Sequence, residues 1–209
     1  MAYTYEHPRP MVTVDAVLFG AGADPLEVLL IERGNEPFAG GWALPGGFVD
    51  MDEDLPAAAA RELAEETGVS GVALDQLRAF GAPGRDPRGR SISVAFWAVI
   101  DERRFAPEGA DDAARAAWRP VASLPAMAFD HGAIVAYAVR RLRWALGRAG
   151  VGRQVLPEEF TAAELYALHV RLGGNAPDPG TLVNQLQTVG ALLPGAAGRC
   201  RLNPENVLI

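Results

Sequence analysis

The strongest constraint on this chain lies in residues 47–69, where acidic side chains crowd into a segment that also carries clear helix signals. Four glutamates accompany one arginine there, namely Glu53, Glu62, Glu65 and Glu66 beside Arg61. Carboxylates this close repel one another unless a cation lies among them. The segment therefore predicts a site for a hard divalent metal ion, and metals held by carboxylates commonly serve phosphate chemistry.

Local signals predict a helix over residues 55–67. Asp54 suits the N-cap, Pro56 is tolerated in the first turn, and Gly68 suits the left-handed position after the last turn. On this helix the last three glutamates stand at i, i+3 and i+4, so they share one face. Oxygen ligands on one face suit Mg²⁺ or Mn²⁺, which usually keep several waters and contact substrate phosphates directly.

The spacing of glycine, arginine and glutamates in residues 47–69 resembles the Nudix box, the signature of the Nudix hydrolases, and every position of it is matched. A solvated acidic helix face is the alternative interpretation, because most charge runs have that meaning. A charge run alone leaves the fixed spacing unexplained. The resemblance covers roughly residues 10–147. It implies an α/β fold, the αβα sandwich with a mixed sheet, in which a loop–helix–loop binds metal and diphosphate.

The resemblance also implies roles for individual residues. Arg61 would orient the carboxylates, Glu53 would be an accessory acidic residue, and Glu62 is the first choice for activating the attacking water. Glu66 is included among the catalytic residues as well. The implied ligands of Mg²⁺ or Mn²⁺ are the Gly47 carbonyl and the carboxylates of Glu62, Glu65 and Glu66.

Further motifs resemble one branch of the family, which contains ADP-ribose pyrophosphatases and Nudix-related transcriptional regulators of NAD metabolism. These motifs are residues 8–10, 33–38, 42–50, 85–90 and 128–131. The branch implies a small-molecule substrate of the nucleotide-sugar type, with ADP-ribose cleaved to AMP and ribose 5-phosphate as the favoured reaction. A nucleoside triphosphate sanitising enzyme shares the Nudix box and is a further alternative.

The candidate substrate-binding residues are three arginines, two glycines and one tryptophan: Arg33, Arg85, Arg88, Gly46, Gly47 and Trp42. Arg85 and Arg88 lie in a loop rich in glycine and proline. Two interpretations of these arginines stay open, namely contacts that clamp a diphosphate and a solvated loop without a ligand. Trp42 could stack on an adenine, and core packing is the alternative. For His131, contact with substrate or with a neighbouring loop stays open, and a structural role is favoured over general-base chemistry.

Composition narrows the partners of the chain. Its 209 residues carry a formal net charge of −7 and contain no lysine, which argues against broad attraction to nucleic acid or anionic membranes. The single cysteine, Cys200, excludes an intramolecular disulfide and a thiolate metal site. We recognise no signal peptide and no apolar run long enough to span a membrane, so we expect a soluble cytoplasmic protein with no membrane partner.

Hydrophobic patterns predict the remaining elements of residues 1–149. Strands are expected at residues 11–19, 27–32, 42–49, 91–100 and 118–124, and residues 74–80 could be a strand or a connection. Apolar residues at helical spacing predict a helix over residues 130–146. Arginines gather near its end, where they oppose the helix dipole. They are Arg140, Arg141, Arg143 and Arg148.

Glycines 147, 150 and 152 predict a domain boundary, so residues 1–149 and 150–209 form two expected domains. In the second, a capping box opens at Thr161 and predicts a helix to about Leu172. Asp178 and the proline after it open a second helix through about Thr188. Two short strands, 192–193 and 199–202, follow. Helix, turn, helix and a two-stranded wing is the order of a winged helix.

This second unit raises a competing function, that of a ligand-sensing transcriptional regulator. The predicted recognition helix, residues 179–188, contains no basic residue, whereas phosphate contacts supply much of DNA affinity. DNA is therefore a possible partner that the sequence does not favour. A homodimer is expected, and it could place Arg199 and Arg201 on DNA. The alternative is a degenerate winged helix that stabilises the fold or the dimer.

Overall fold

The structure is a computed structural model that describes residues 6–22, 25–107, 113–148 and 151–206. Its first part alternates strands and helices. The strands are β1 (Met11–Gly20), β2 (Glu27–Arg33), β3 (Trp42–Ala43), β4 (Gly46–Phe48), β5 (Asp75–Phe80), β6 (Ser91–Ile100) and β7 (Ala113–Pro120). The helices are α1 (Leu55–Thr67) and α2 (His131–Leu146).

One mixed sheet contains all seven strands, and β1 lies at its centre. β1 runs parallel to β6 over its whole length, with Met11 opposite Ser91 and Gly20 opposite Ile100. Its other edge changes partner along the strand: the first half pairs with β4, and only its end pairs with β2. β2 continues away to pair with β3 and β7. β2 and β4 therefore lie beside different parts of the same edge of β1, and the β4 glycines lie beside its first half.

The two helices cover opposite faces of this sheet, as the predicted αβα sandwich requires. Side chains alternate across a strand, so successive residues of β1 reach different layers. Val17 and Phe19 pack in one apolar cluster with Ile134 of α2. Leu18 packs in another with Leu63 of α1. All five are 1% exposed or less. Burying one such side chain contributes about 1.5–3 kcal/mol, so these layers hold α1 against the sheet.

The predicted bounds of α1 are confirmed. The Asp54 carboxylate accepts a hydrogen bond from the Leu55 N–H at 2.8 Å, and Gly68 takes the left-handed conformation with φ 71°. The Gly68 N–H donates to the Ala64 carbonyl at 2.9 Å and closes the last turn. Both ends are therefore fixed by local chemistry that the sequence already displays.

Three stretches differ from the sequence-based expectation. Residues 42–49, expected as one short strand entering a loop, form two short strands, β3 and β4. Residues 75–80 form a true edge strand, β5, paired with β6. The strand expected at residues 118–124 is β7, which starts at Ala113, ends at Pro120 and is followed by a 3₁₀ turn, Val121–Ser123. Its first half, residues 113–117, is mostly alanine, a residue with little intrinsic strand preference, so the pairing with β2 sets its length.

The C-terminal unit has the predicted order of elements. It contains α3 (Ala162–Arg171), α4 (Pro179–Thr188) and a hairpin of β8 (Leu192–Pro194) and β9 (Cys200–Leu202). The capping box at Thr161 is formed in both directions with Glu164. A separate apolar cluster fills this unit; it includes Phe160, Leu165, Leu182, Leu186, Leu192 and Cys200.

The two units are packed together rather than joined by an open linker. Leu168 and Leu172 of α3 belong to the same buried cluster as Leu142 of α2. The side chain of Gln154 exchanges two hydrogen bonds with the backbone of Ala73, both of 2.9 Å. The predicted boundary between residues 149 and 150 lies outside the described residues, so the division into domains 1–149 and 150–209 stays a prediction. No helix in the described ranges is long and apolar enough to cross a membrane.

We predict that Gly68→Ala lowers the free energy of unfolding by about 1 kcal/mol. The left-handed conformation costs an L-residue with a Cβ about that much free energy. Urea unfolding followed by circular dichroism measures the change. Gly132→Ala is the matched control, since Gly132 lies within α2 and its added Cβ would meet Met127 at an ordinary 3.7 Å. The control should be neutral or slightly stabilising. Equal destabilisation by both substitutions would contradict the assigned C-cap.

Candidate active site

A cavity of about 270 Å³ opens where β4 and α1 meet the centre of the sheet. Most of the predicted site residues line it, and they are Arg33, Gly46, Gly47, Arg61, Glu62, Glu65, Glu66, Arg85 and Arg88. Glu53 and Trp42 do not line it. Glu53 still belongs to the site through Arg61, whereas the Trp42 ring lies 4.9 Å from the guanidinium carbon of Arg115 and 4.4 Å from that of Arg119.

Arg61 ties the acidic residues together. Its guanidinium donates hydrogen bonds to Glu53 at 2.6 Å, Glu62 at 3.0 Å and Glu65 at 2.9 Å. A further N–H reaches the Phe48 carbonyl at 3.1 Å. The hydrogen bonds that Glu53 accepts from Arg61 lower the pKa of Glu53 to about 2. The planar fork of an arginine suits several carboxylates at fixed angles, so Arg61 sets where the carboxylates of α1 point.

Glu66 is the most deeply buried carboxylate of the site, with 5% of its surface exposed. It accepts a hydrogen bond from the Gly46 N–H at 2.8 Å. Burial raises the pKa of Glu66 to about 8, and the nearby negative charge of Glu62 adds to the rise. Burial also raises the pKa of Glu62, against the lowering effect of its hydrogen bond from Arg61. A positive charge placed between these two neighbouring carboxylates would favour their ionised forms.

The two glycines of β4 allow this close approach of helix and strand. A Cβ at Gly47 would overlap the carboxylate of Glu62, and a Cβ at Gly46 would overlap the carbonyl oxygen of Val14. Gly46 also has φ 156°, a conformation that L-residues rarely adopt. A larger side chain at Gly47 would therefore displace the Glu62 carboxylate, and one at Gly46 would collide with the backbone of β1.

The donor chemistry of this cavity fits a hard divalent cation. Within the described ranges, no three His, Cys, Asp or Glu side chains already converge as a metal cluster. Hydrogen bonds account for this, because Arg61 holds Glu62 and Glu65 while the Gly46 N–H holds Glu66. Carboxylate and carbonyl oxygens are nevertheless the ligands that Mg²⁺ and Mn²⁺ prefer. The proposed set of Gly47, Glu62, Glu65 and Glu66 suits that ion.

A buried polar network lies under the cavity, and sequence reasoning missed its centre, Asp15. The Ser93 hydroxyl donates a very short hydrogen bond to the Asp15 carboxylate, and the Nη2 of Arg85 lies 3.6 Å from it. The signal was present, since an aspartate stands in the valine-rich strand β1, whose neighbours are buried. Buried carboxylates persist only where partners satisfy them, so this one identifies a built site.

Arg85 is held inside this network rather than extended into solvent. Its Nη2 donates to Asp130 at 2.6 Å and its Nε donates to the same carboxylate at 3.0 Å. The Arg85 side chain is 4% exposed. The solvated-loop alternative therefore does not describe Arg85, and its contact with substrate stays a prediction.

His131 fixes the backbone that leads into Gly46 and Gly47 of β4. Its Nδ1 accepts a hydrogen bond from the Leu44 N–H at 2.9 Å, so the ring proton lies on Nε2, which is 3.4 Å from the Asp15 carboxylate. Burial lowers the pKa of His131, which keeps the ring neutral. The expected structural role agrees with this geometry, although the ring also forms part of the cavity wall.

Arginines and aromatic rings surround the mouth of the cavity. The guanidinium carbon of Arg88 lies 5.1 Å from the ring centre of Phe48 and 5.6 Å from that of Phe129, and Arg33 lies 5.0 Å from Phe129. Arg88 is also paired with Asp86 at 2.8 Å. Sequence reasoning selected the two arginines and missed both phenylalanines. Such a mouth can offer cationic contacts to phosphate and flat apolar surface to a base.

Three comparisons with known proteins agree with this geometry. The NUDIX domain profile matches residues 9–140. The chain is 34% identical over 175 residues to the ADPR responsive transcriptional repressor NtrR of Acinetobacter baylyi, covering 81% of this chain and 70% of that protein.

It is 39% identical over 127 residues to the ADP-ribose pyrophosphatase of Methanocaldococcus jannaschii, covering 61% of this chain and 72% of that protein. The crystal structure of Shewanella oneidensis NrtR complexed with a 27mer DNA superposes with a TM-score of 0.73 and 32% identity, covering 93% of this chain and 94% of that chain. The likeness thus extends from the sheet through the C-terminal unit.

We predict that Glu66 makes the metal-free protein less stable as pH rises. Its pKa is 4.5 in an unfolded chain and about 8 in the fold. The folded state therefore binds the proton more tightly. This contribution is fully present below pH 4.5 and is lost as pH rises through about 8. Glu66→Gln should flatten the fall, as measured by urea unfolding in EDTA across that range.

Glu65→Gln is the control, because Glu65 shares the helix face but its side chain is 45% exposed. It should follow the wild-type pH dependence. Parallel curves for wild type and Glu66→Gln would show that the buried carboxylate does not dominate stability. Adding Mg²⁺ or Mn²⁺ to the wild type should restore the lost stability at high pH, because a cation favours the ionised form.

Proposed function

The chain belongs to the Nudix family of pyrophosphohydrolases, and we propose that it cleaves a nucleoside diphosphate linked to another moiety, with Mg²⁺ or Mn²⁺ as the cofactor. The favoured substrate is ADP-ribose, which would yield AMP and ribose 5-phosphate. The observation that carries this proposal is the pair of carboxylates beside the two glycines of β4: half-buried Glu62, which Arg61 orients, and buried Glu66, which the Gly46 N–H holds. The similarity to the archaeal ADP-ribose pyrophosphatase supports the choice of substrate.

In the proposed mechanism, the chain supplies ligands, a base and a shielded cavity. Glu62, Glu65 and Glu66, with the Gly47 carbonyl, would hold the metal, which when bound neutralises the diphosphate and lowers the pKa of a water. The Glu62 carboxylate accepts a proton from the attacking water. The water oxygen forms a new bond to one phosphorus in line, and the bond from that phosphorus to the bridging oxygen breaks.

The residues around this reaction keep its geometry. Arg61 prevents the Glu62 carboxylate from turning away, since it holds that group and Glu65 at once. His131 holds the Leu44 backbone and therefore the loop that follows it. At the mouth, Arg33 and Arg88 would contact the diphosphate, and Phe129 between them would support the base. Such positioning contributes to rate because misplacement of reacting groups is costly.

We predict that Glu62→Gln and Glu66→Gln each lower kcat for ADP-ribose by at least about 100-fold, because each removes a base or a metal ligand. Product chromatography with Mg²⁺ or Mn²⁺ measures AMP and ribose 5-phosphate, and EDTA should abolish turnover. Glu158→Gln, on the exposed surface of the C-terminal unit, is the charge-matched control.

Two outcomes would count against this proposal. Unchanged turnover of Glu66→Gln would remove Glu66 from the active site. Release of pyrophosphate from nucleoside triphosphates, without activity on ADP-ribose, would favour the sanitising enzyme instead.

The second candidate function is a ligand-sensing transcriptional regulator, most naturally a homodimer. It is favoured by the similarity to the Acinetobacter repressor and to the DNA-bound Shewanella protein, both of which extend beyond the Nudix domain. The charges of the C-terminal unit favour it less. Arg199 donates to the Glu159 carbonyl at 2.8 Å and lies 3.4 Å from the Glu164 carboxylate, and α4 carries no basic residue.

A regulator should bind duplex promoter DNA from its own genomic neighbourhood in a sequence-dependent and salt-sensitive manner. Fluorescence anisotropy measures this, with and without ADP-ribose. We expect Arg201→Gln to weaken such binding, because Arg201 is exposed on β9. Identical weak binding to promoter and scrambled duplexes would argue against the regulator.

A further inference from the structure

A continuous surface of arginines and aromatic rings lies on α2 and the neighbouring strand β5, away from the cavity. We call it the arginine–aromatic face, and its residues are Arg78, Tyr137, Arg140, Arg141, Trp144 and Arg148. None of these six lines the active-site cavity. The proposed hydrolysis makes no use of them, so this surface needs a separate explanation.

Each ring of the face is accompanied by two guanidinium groups. The centre of Tyr137 lies 4.7 Å from the guanidinium carbon of Arg78 and 5.4 Å from that of Arg140. The centre of Trp144 lies 4.6 Å from Arg141 and 5.3 Å from Arg148. Tyr137 and Trp144 stand seven residues apart on one helix, which separates them by two turns, or about 10 Å along the axis. The same unit is thus repeated along one face.

The stretch of sequence that carries most of the face contains no acidic residue. Residues 131–157 contain five arginines and no aspartate or glutamate. Among the ion pairs of the described ranges, none involves Arg78, Arg140 or Arg148. The end of α2 accounts for two of these arginines, because Arg143 lies in the last turn and Arg148 donates a hydrogen bond to the Trp144 carbonyl at 3.4 Å. It does not account for Arg78 and Arg140. A chain of net charge −7 therefore concentrates cations on one surface.

Trp144 is also exposed to an unusual degree for its size, at 45% of its surface. A large aromatic ring that is partly exposed and lies beside guanidinium groups is typical of surfaces that bind partners rather than of cores. Net charge does not exclude a polyanion here, because charges beyond roughly 8–10 Å are largely screened at physiological salt. The local surface decides what binds.

We propose that the arginine–aromatic face binds single-stranded nucleic acid. The guanidinium groups contact backbone phosphates, and unpaired bases stack on Tyr137, on Trp144 or on the guanidinium planes beside them. A duplex would use the cations alone, since its bases are already stacked on one another. This binding depends little on base sequence, which separates it from operator recognition by a winged helix. It does not rest on the proposed hydrolysis.

The test uses the full chain and labelled single strands of about 15 nucleotides and mixed sequence, one DNA and one RNA. Fluorescence anisotropy is recorded between about 50 and 200 mM salt. We expect binding that weakens with salt, and Arg140→Gln with Arg148→Gln should make the log–log slope shallower by about 1.4. Trp144→Ala should weaken binding on the order of tenfold, and Trp144→Phe should restore part of the loss.

The control variant carries Arg103→Gln and Arg104→Gln, which remove the same charge from the short turn after β6. It should bind the strands like the wild type. ADP-ribose turnover should be unchanged in all of these variants, because the face lies outside the cavity. Thermal unfolding should be unchanged in the arginine variants, whose side chains are exposed. Trp144→Phe controls for the packing lost in Trp144→Ala, because the tryptophan is only 45% exposed. DNA and RNA arms show which strand is preferred, and binding of either at the face supports the proposal.

Several results would overturn the proposal. One is absence of binding at about 50 mM salt, and another is equal loss in the face and control variants. A preference for duplex that survives the face substitutions would assign binding to the C-terminal unit. A salt-sensitive dimer that is lost in the face variants, without binding of single strands, would show instead that the face joins two copies of the chain.

Discussion

The interaction of Arg61 with three glutamates is the one on which the site depends. A single guanidinium contacts Glu53, Glu62 and Glu65, so it neutralises part of their repulsion and fixes their directions. Without it, carboxylates on one helix face would separate into solvent. Glu66 lies beyond the reach of this arginine and is held by a backbone N–H alone. The remaining excess of negative charge is what makes a divalent cation the natural complement of the cavity.

The sheet makes this arrangement possible through an exchange of partners along β1. Because β4 replaces β2 beside the first half of β1, two glycines come to lie under α1. The Glu62 carboxylate can lie against this strand because Gly47 has no Cβ to meet it. Beneath them, His131 of α2 accepts a buried hydrogen bond from the Leu44 N–H, and its Nε2 lies 3.4 Å from Asp15 of β1. The functional loop is therefore supported from the core.

Charge is distributed over this protein in a way that its net value conceals. The cavity gathers carboxylates, whereas α2 and β5 gather arginines on a separate surface. In the C-terminal unit, which resembles a DNA-binding module in its order of elements, Arg199 is bound to Glu159 and Glu164, whereas Arg201 is exposed on β9. Any interaction with nucleic acid thus depends on which surface presents arginine to solvent.

Much of the fold and part of the site could be read from the sequence by itself. The bounds of α1, α4 and β6 followed from caps, prolines, glycines and runs of apolar residues, because those signals act over a few neighbouring positions. The spacing around Arg61 identified the acidic helix for the same reason: residues one turn apart share a face wherever the helix lies.

Only the tertiary structure decided which distant residues complete the site. Asp15 stands in a strand far from Arg85 and His131 in sequence, so no local signal could join them. The same holds for Phe129, which reaches the mouth of the cavity, and for Trp42, which lies outside its wall. It also holds for the meeting of Arg78 with Tyr137. Long-range packing determines such contacts, because burial and charge are balanced over the whole fold rather than within a segment.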